Sequence, residues 1–328
     1  MNLKLPTALM SDDLKNNWPW VNETDRGHYD PAQKWPKISI ITPSFNQGDF
    51  IEETILSVLN QNYPDLEYII IDGGSTDNTV EIIKKYADKL TYWVSEKDKG
   101  QTDAINKGLQ KCTGVIFNWI NSDDFLEKDA LFNIAKTYQE ASHSGNKLKL
   151  IAGGCRHITD DTGEAETFFV KDLTFEGLIS ENSWFQQPAQ WLVLANIKNL
   201  HIDDQLHYSF DWDMILNLNL TGQEIVYLPK VLANFRMHEN SKTTLYSLTF
   251  KKEKYTIVKK YFKNSKSLLK KRKLILYLHR LSAYLQVMEL LSNDEKHYPK
   301  LLRAGVLSPK LFFSRFYLGQ LSKFLKKQ

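Results

Sequence analysis

The sequence predicts an α/β fold, a mostly parallel sheet flanked by helices, followed by a basic C-terminal helical extension. Three observations predict it. Short apolar runs alternate with amphipathic stretches from residue 38 to about 120, polar loops follow the apolar runs, and the charge changes sign near residue 245.

Taken in order, residues 1–37 read as an irregular arm, with Trp18, Trp20 and Trp35 beside prolines, laid over the domain by its aromatics. "ISIITPSFN" is a strand and its exit. "QGDFIEETILSVLNQ" is a helix, with Ile51, Ile55, Val58 and Leu59 on one face and Asp49 with Glu52 as a capping box. "LEYIIIDGG" reads as a buried strand, "STDN" as a turn and cap, and "TVEIIKKYA" as a helix with Val80, Ile83 and Ala87 on one side. "LTYWVSE", "TDAINKGLQK" and "GVIFNWINSDD" give a third strand, third helix and fourth strand. In such sheets ligands bind off the carboxyl ends of the strands, so the loops "TPSFNQG", "DGGSTD", "EKDKGQTD" and "NSDD" should meet at one crevice. That crevice has neither a Gly-x-Gly-x-x-Gly nor a Walker loop, which disfavours the two commonest nucleotide folds.

Beyond residue 148 the pattern becomes mixed. "LKLIAGGCRHIT" and "EAETFFV" around "DDTG" form a hairpin. "SFDWDMILNLNL" is a helix with Trp212, Ile215, Leu216 and Leu220 inward, and "EIVYLPKVLANFRMHENS" is a strand with a polar exit. The expected organisation is an arm at 1–37, one α/β domain at 38–244 and basic amphipathic helices at 245–328.

Composition bounds the rest. With 42% hydrophobic and 25% charged residues, disorder, collagen and repeat arrays are excluded. Two cysteines, Cys112 and Cys155, without a Cys-x-x-Cys argue against disulfide staples and thiolate metal sites, and favour a reducing setting. The N-terminus lacks the apolar core of a signal peptide, so a cytoplasmic location is expected. The net charge of +3 conceals a split: residues 245–328 hold 20 Lys/Arg against 4 Asp/Glu, net +16, leaving 22 against 35, net −13, for the first 244. The most apolar stretch of the tail, "LILYLHRLSAYLQVMELL", carries His279, Arg280, Gln286 and Glu289 and is expected to lie on a surface or pack, not to span.

Adjacent Asp123 and Asp124 repel each other unless a cation or hydrogen-bond donors face them. Such a pair at a strand end is a hard-oxygen site suited to Mg²⁺ or Mn²⁺; the plainer alternative is that Asp124 caps a helix starting near Leu126. Asp72 reads equally as a turn residue, Asp211 as a helix-start carboxylate, and Arg236 with His238 as a surface pair.

Together these motifs carry more. "TPSFNQGDFIEETILSVLNQNYPDLEYIIIDGGSTDNTVEIIKKY", "SEKDKGQTDAINKGLQKCTGVIFNWINSDD", "QQPAQWLV", "LHYSFDWDMILNL" and "VLANFRMHENSKT" resemble the family 2 nucleotide-sugar glycosyltransferases over roughly residues 36–244. The resemblance implies a GT-A fold, Rossmann-like, and an inverting transfer from a nucleoside-diphosphate sugar, UDP foremost, to a glycan or lipid-linked hydroxyl in cell-surface polysaccharide synthesis. It implies that Thr42, Pro43 and Phe45 cup the base, that Asp72 bonds base or ribose, and that Gly100, Asp103, Asn106 and Lys107 lie near ribose and diphosphate. Asn121, Ser122 and Asp123 take the family's Asp-x-Asp position, with Asp123 as the Mn²⁺ or Mg²⁺ ligand beside Asp124. Asp211 resembles the catalytic base, with Asp213 as its rival, and Arg236 with His238 the late loop that closes on diphosphate or metal. Asn121 and Gly73 depart from the pattern, each standing where an Asp is common, which weakens the expected metal dependence.

Trp184, Gln186 and Gln187 are candidates for the acceptor mouth. The tail interleaves Lys with Tyr, Phe, Ile and Leu, which fits peripheral seating on the anionic inner face of the plasma membrane; a solvated bundle is the plainer reading, and no nucleic-acid recognition motif is present. The competing function class is a non-catalytic membrane-surface scaffold that keeps the fold.

Overall fold

The computed structural model describes residues 18–145, 147–159, 163, 165–179, 185–198, 200–239, 241–242 and 247–292. They divide into two compact units, one within Met1–Leu178 and Asn182–Glu239, the other within Ile179–Glu181 and Asn240–Gln328.

The first unit is built on one nine-stranded sheet. Its parallel part consists of β1 (Ile38–Ser44), β2 (Leu66–Asp72), β3 (Tyr92–Ser95) and β4 (Ile116–Trp119), in the order β3-β2-β1-β4. Helices α1 (Ile51–Leu59), α2 (Thr79–Lys85) and α3 (Gln101–Leu109) make the crossovers. Every residue of β1 is buried, which is why this segment reads as a continuous apolar run and not as an alternation. The order of the strands reverses direction at β1, so the loops after β1 and β4 diverge and open a crevice between them.

The rest of the sheet is mixed. β5 (Phe125–Leu126), α4 (Ala130–His143), β6 (Leu150–Thr159), β7 (Ala165–Phe169), α5 (Phe175–Leu178), β8 (Gln190–Val193), α6 (Phe210–Leu218) and β9 (Ile225–Met237) follow. β8 runs antiparallel between β4 and β6, β9 pairs parallel with β6, and β5 closes antiparallel on β9. The hairpin expected around residues 160–164 forms as β6 against β7.

Two local expectations are corrected. α1 begins after Phe50 with no side-chain cap; Glu52, instead of closing a capping box, accepts from Lys85 at 2.6 Å and from the Tyr86 hydroxyl at 2.7 Å. No helix starts near Leu126, because Phe125 and Leu126 are drawn into strand pairing with Asn234 and Ala233, and α4 begins four residues later. Pairing with a distant strand overrode the local cap signal.

The arm packs by its aromatics. Trp18 donates from Nε1 to the Leu126 carbonyl at 2.7 Å, and Tyr29, Trp35, Tyr63 and Phe132 meet at ring centroid separations of 5.3–6.4 Å. The second unit consists, among its described residues, chiefly of two helices, α7 (Ser247–Asn264) and α8 (Leu268–Ser292), packed as a hairpin with Ile257, Val258, Leu274 and Leu281 buried. No helix among the described residues is long and apolar enough to cross a membrane.

Candidate active site

The carboxyl ends of β1, β2, β3 and β4 carry Phe45, Asp72, Asp98 and Asp123 respectively. These acids are not equivalent. What separates them is how many oxygens remain after the protein's own hydrogen-bond donors are served.

Asp72 is fully buried. Its Oδ2 accepts from the amides of Gly74 at 3.1 Å and Ser75 at 2.9 Å and from the Ser95 hydroxyl at 2.6 Å, while Oδ1 accepts from the Ser75 hydroxyl at 2.5 Å. It staples the β2 exit to β3, with three of its four accepted hydrogen bonds on Oδ2.

Asp124 is likewise framework. It is 1% exposed; Oδ1 accepts from the Arg236 amide at 3.1 Å and Oδ2 from Asn121 Nδ2 at 3.1 Å. Burial first, then the charge of Asp123, push its carboxyl well above the ordinary range. It ties the β4 exit to β9, so of the adjacent pair Asp124 is the buried, internally bonded member. Asn121 is equally occupied, its Oδ1 accepting from Gln101 at 2.7 Å.

Arg236 is engaged on every side. Its guanidinium pairs with Glu53, donates from Nε to the Asp123 carbonyl at 3.2 Å, and lies 5.3 Å and 5.4 Å from the ring centroids of Phe50 and Phe125. It clamps the backbone of Asp123 to α1.

Asp123 and His238 are what this clamp presents. Nε2 of His238 lies 3.2 Å from Oδ2 of Asp123; the imidazole is 8% exposed and packs 4.7 Å from Phe50, while the Asp123 side chain is 23% exposed and its Oδ1 has no partner among the described residues. No three His, Cys, Asp or Glu side chains among the described residues converge as a ready ligand set. The open Oδ1 of Asp123 and the neighbouring ring nitrogen of His238 nevertheless fit a cation such as Mn²⁺ or Mg²⁺, which takes few protein ligands and fills its shell with phosphate oxygens and water. Ser122 is buried beside them.

Asp211 opens α6, half-buried, with Oδ1 accepting the Trp212 amide at 2.7 Å. Phe210, just before it, packs 6.1 Å from Trp119 at the end of β4, which sets the start of α6 over the Asp123 loop. Asp213 is 2% exposed and accepts from Asn217 at 3.0 Å, so of the two candidate bases Asp211 is the one a substrate can reach.

Other expected residues separate similarly. Phe45 is 58% exposed, a ring at the carboxyl end of β1, whereas Thr42 is fully buried with its hydroxyl 3.0 Å from that of Tyr68, and Pro43 is buried within β1; of the three side chains only that of Phe45 is exposed. Gly100, at φ 119°, opens α3 where a side chain would be strained. Asp103 accepts from the Lys99 amide at 3.1 Å. Asn106 holds the Ile202 backbone, its amide donating to Ile202 O at 2.8 Å and accepting from Ile202 N at 3.3 Å, and Lys107 forms ion pairs with Glu96 at 2.9 Å and Asp103 at 3.5 Å. On the acceptor side, Trp184 lies outside the described residues. Gln186 meets His157 Nε2 at 2.6 Å and Gln187 donates to Asn118 and the Trp119 carbonyl at 2.9 Å and 2.8 Å, so both buried amides brace strands.

Sequence reasoning missed Glu53, whose partner is 183 residues away, and Asp98, which lay in a quoted loop but was passed over. The signal for Asp98 was the small Gly73 opposite it.

The model of Glycosyl transferase family 2 matches residues 39–165. An uncharacterized glycosyltransferase of Rickettsia typhi is 37% identical over 221 residues, 63% of this chain and 66% of that protein. The putative teichuronic acid biosynthesis glycosyltransferase TuaG of Bacillus subtilis is 39% identical over 99 residues, 29% of this chain and 39% of its own length; the chain thus spans less than half of the curated relatives it matches first. S. aureus TarS 1–349, solved with UDP-GlcNAc, superposes with a TM-score of 0.58 at 18% identity, covering 83% of this chain and 80% of that one. The mannosyltransferase PcManGT of Pyrobaculum calidifontis, solved with GDP-Man and Mn²⁺, gives 0.56 at 16% identity, covering 89% and 85%. The fold is therefore that of the GT-A glycosyltransferases, and the chain belongs to glycosyl transferase family 2.

Proposed function

We propose that the protein is an inverting glycosyltransferase, moving a sugar from a nucleoside diphosphate to a hydroxyl of a glycan or lipid-linked acceptor in cell-surface polysaccharide synthesis. What supports this reading is the open Asp123–His238 pair beyond β4, together with α6, which opens at the partly exposed Asp211 and packs through Phe210 on Trp119 of that same strand. Asp211 takes the proton of the acceptor hydroxyl as its oxygen attacks the anomeric carbon, and the bond to the diphosphate breaks with its electron pair leaving on phosphate. One displacement from the far face inverts the centre, and a positioned base of this kind supplies about 10²–10⁴-fold. Asp123 and His238 would hold Mn²⁺ or Mg²⁺, which supplies charge compensation for the departing diphosphate. The Arg236 clamp fixes the Asp123 backbone, and Phe45 offers the base a stacking face. TuaG's printed role in teichuronic acid synthesis and the nucleotide sugars of TarS and PcManGT support the substrate class.

The second unit is read as the seat on the inner membrane face. Leu268, Leu269, Ile275 and Leu276 are exposed on one side of α8 beside Arg272 and Lys273, the composition of a helix that lies in an anionic interface.

Release of nucleoside diphosphate from a panel of sugar nucleotides with Mn²⁺ tests the reading. Turnover with one donor, abolished in Asp123→Ala and Asp211→Asn, is expected; wild-type turnover in both variants overturns the site.

A further inference from the structure

The first turn of α1 has no part in the reaction outlined above, yet it stands directly behind the Asp123–His238 pair. Phe50, which precedes the helix, lies 4.7 Å from the His238 ring and 5.3 Å from the Arg236 guanidinium, and a second ring, Phe125, flanks that guanidinium at 5.4 Å. Three residues on, Glu53 pairs with the same guanidinium. The Arg236 and Glu53 side chains are 11% and 18% exposed, so the pair sits largely out of water. Arg236 also donates from Nε to the Asp123 carbonyl at 3.2 Å and from its amide to Asp124 at 3.1 Å. A full positive charge therefore backs the residue whose carboxylate lies 3.2 Å from His238.

That arrangement sets an electrostatic problem. A cation held by Asp123 gains one carboxylate charge and meets one guanidinium charge, with aromatic rings against the guanidinium and little water to screen it. Taken alone, the two protein charges cancel, and a divalent ion gains little by leaving water. Glu53 changes the balance. Among Asp123, Glu53 and Arg236 one net negative charge remains, so the guanidinium can brace the Asp123 backbone without repelling the ion that Asp123 binds. The neighbouring acid on α1 does something else: Glu52 pairs with Lys85 and Tyr86, at the end of α2.

We infer that Glu53 is a positioning residue for the transfer reaction, supplying the counter-charge that lets Arg236 brace Asp123 while the Asp123–His238 pair keeps its affinity for a divalent cation. This rests on the glycosyltransferase reading, and Glu53 acts through Arg236. An ion pair that only fastened α1 to β9 would change stability and leave metal affinity where it was.

Mn²⁺ binding to the full chain, read from the electron paramagnetic resonance signal of the free ion with and without UDP, is the test, because it needs no turnover. Wild type is expected to bind Mn²⁺ and Asp123→Ala to lose it. Glu53→Gln keeps an oxygen for the guanidinium and removes the charge, and weakens Mn²⁺ by about tenfold or more. In steady state the Mn²⁺ concentration giving half-maximal rate rises by the same factor, while the rate at saturating Mn²⁺ stays within about threefold of wild type. Glu53→Asp, which retains a carboxylate, recovers most of the affinity. Glu53→Gln combined with Arg236→Gln leaves one net negative charge again and returns Mn²⁺ affinity toward wild type; with no buried charge unpaired, it carries the test where the single variant fails to fold. Glu52→Gln, on the same turn, leaves Mn²⁺ affinity unchanged, and melting midpoints recorded alongside separate a weakened site from a loosened helix. A Glu53→Gln protein that binds Mn²⁺ as tightly as wild type, or a double variant that stays about tenfold below wild type, overturns the assignment and leaves the glycosyltransferase reading standing. So does a wild type that turns over a donor without binding Mn²⁺. A wild type that binds neither Mn²⁺ nor any sugar nucleotide, and turns over no donor, overturns both.

Discussion

The two ends of the same sheet hold acids in opposite conditions. At the amino end Glu67, 3% exposed at the start of β2, accepts from the Ser39 hydroxyl at 2.5 Å, the Thr113 amide and hydroxyl at 2.7 Å each, and lies 3.2 Å from Lys37 Nζ. Ser39 in turn accepts the Gly114 amide at 2.8 Å, so β1, β2 and the turn into β4 are tied through one carboxylate. At the carboxyl end Asp98 and Asp123 keep an oxygen without a partner among the described residues. An acid with no oxygen left is part of the scaffold, wherever it sits. An acid with one left, on the edge where ligands bind, is available for chemistry. Asp72 and Asp124 show that the rule cuts across location, since both stand at the ligand-binding edge and both are spent.

The sharpest way to break this division is to remove acids of each kind and read activity and stability together. The largest effect belongs to Asp211→Asn and Asp123→Ala. Each is expected to lower the rate of nucleotide release by about 10²–10⁴-fold, with the melting midpoint close to wild type, because both residues are partly exposed. A loss of activity matched by a collapse of the melting midpoint would place either residue in the scaffold class instead.

Glu67→Ala should do the reverse. Leaving the Ser39 and Thr113 donors buried without their acceptor costs roughly 1–3 kcal/mol of stability, a fall of several degrees in melting midpoint, while the Michaelis constant for the sugar nucleotide stays put. Circular dichroism melts beside steady-state kinetics at a permissive temperature would check it.

A milder probe of the same end is pH. Burial alone would raise the Glu67 carboxyl above its ordinary value, but the hydrogen bonds from Ser39, Thr113 and Lys37 together outweigh it and hold it low. A folded-state value below the unfolded one means the stabilisation is complete above the unfolded value of about 4.5 and is lost as pH falls through the folded value. The melting midpoints of wild type and Glu67→Gln are therefore expected to differ at pH 7 and to converge toward pH 3. A gap that stays constant across that range would show that Glu67 is not the titrating group.

The fold was legible because its signals are local. The runs "ISIITPS" and "LEYIIID" are buried on both faces and so are continuously apolar, and the helices between them show one apolar side. The site was legible in part, for a physical reason visible in Asp123 and Asp124. They are adjacent, identical and both at a strand end, yet one faces His238 and the other the amide of Arg236, 112 residues away. Nothing in the local sequence states which side chain a distant strand will occupy. The same holds for Thr42, whose hydroxyl is bound by Tyr68, and for Arg236, which Glu53 holds. Asp98 escaped for the converse reason: its carboxylate stands in the space that Gly73 leaves.

The smallest expected effect tests the rule from the cationic side. Lys107 was expected near the diphosphate, but its ammonium pairs with Glu96 at 2.9 Å and with Asp103 one helical turn away at 3.5 Å, at about one third exposure. Such pairs sit in high dielectric, are screened by salt, and contribute little. Lys107→Ala should therefore change stability by less than about 0.5 kcal/mol. By the same logic that separates spent from open carboxylates, a lysine already neutralised by two acids has little charge to offer a diphosphate, so nucleotide affinity should move less than about twofold, well under the roughly tenfold or greater loss expected for removing a direct charged contact. Affinity that fell by an order of magnitude in Lys107→Ala, and recovered in Lys107→Arg, would mean that the ammonium exchanges its acids for the ligand, and that pairing in the free protein is a poor guide to which charges of this crevice are available.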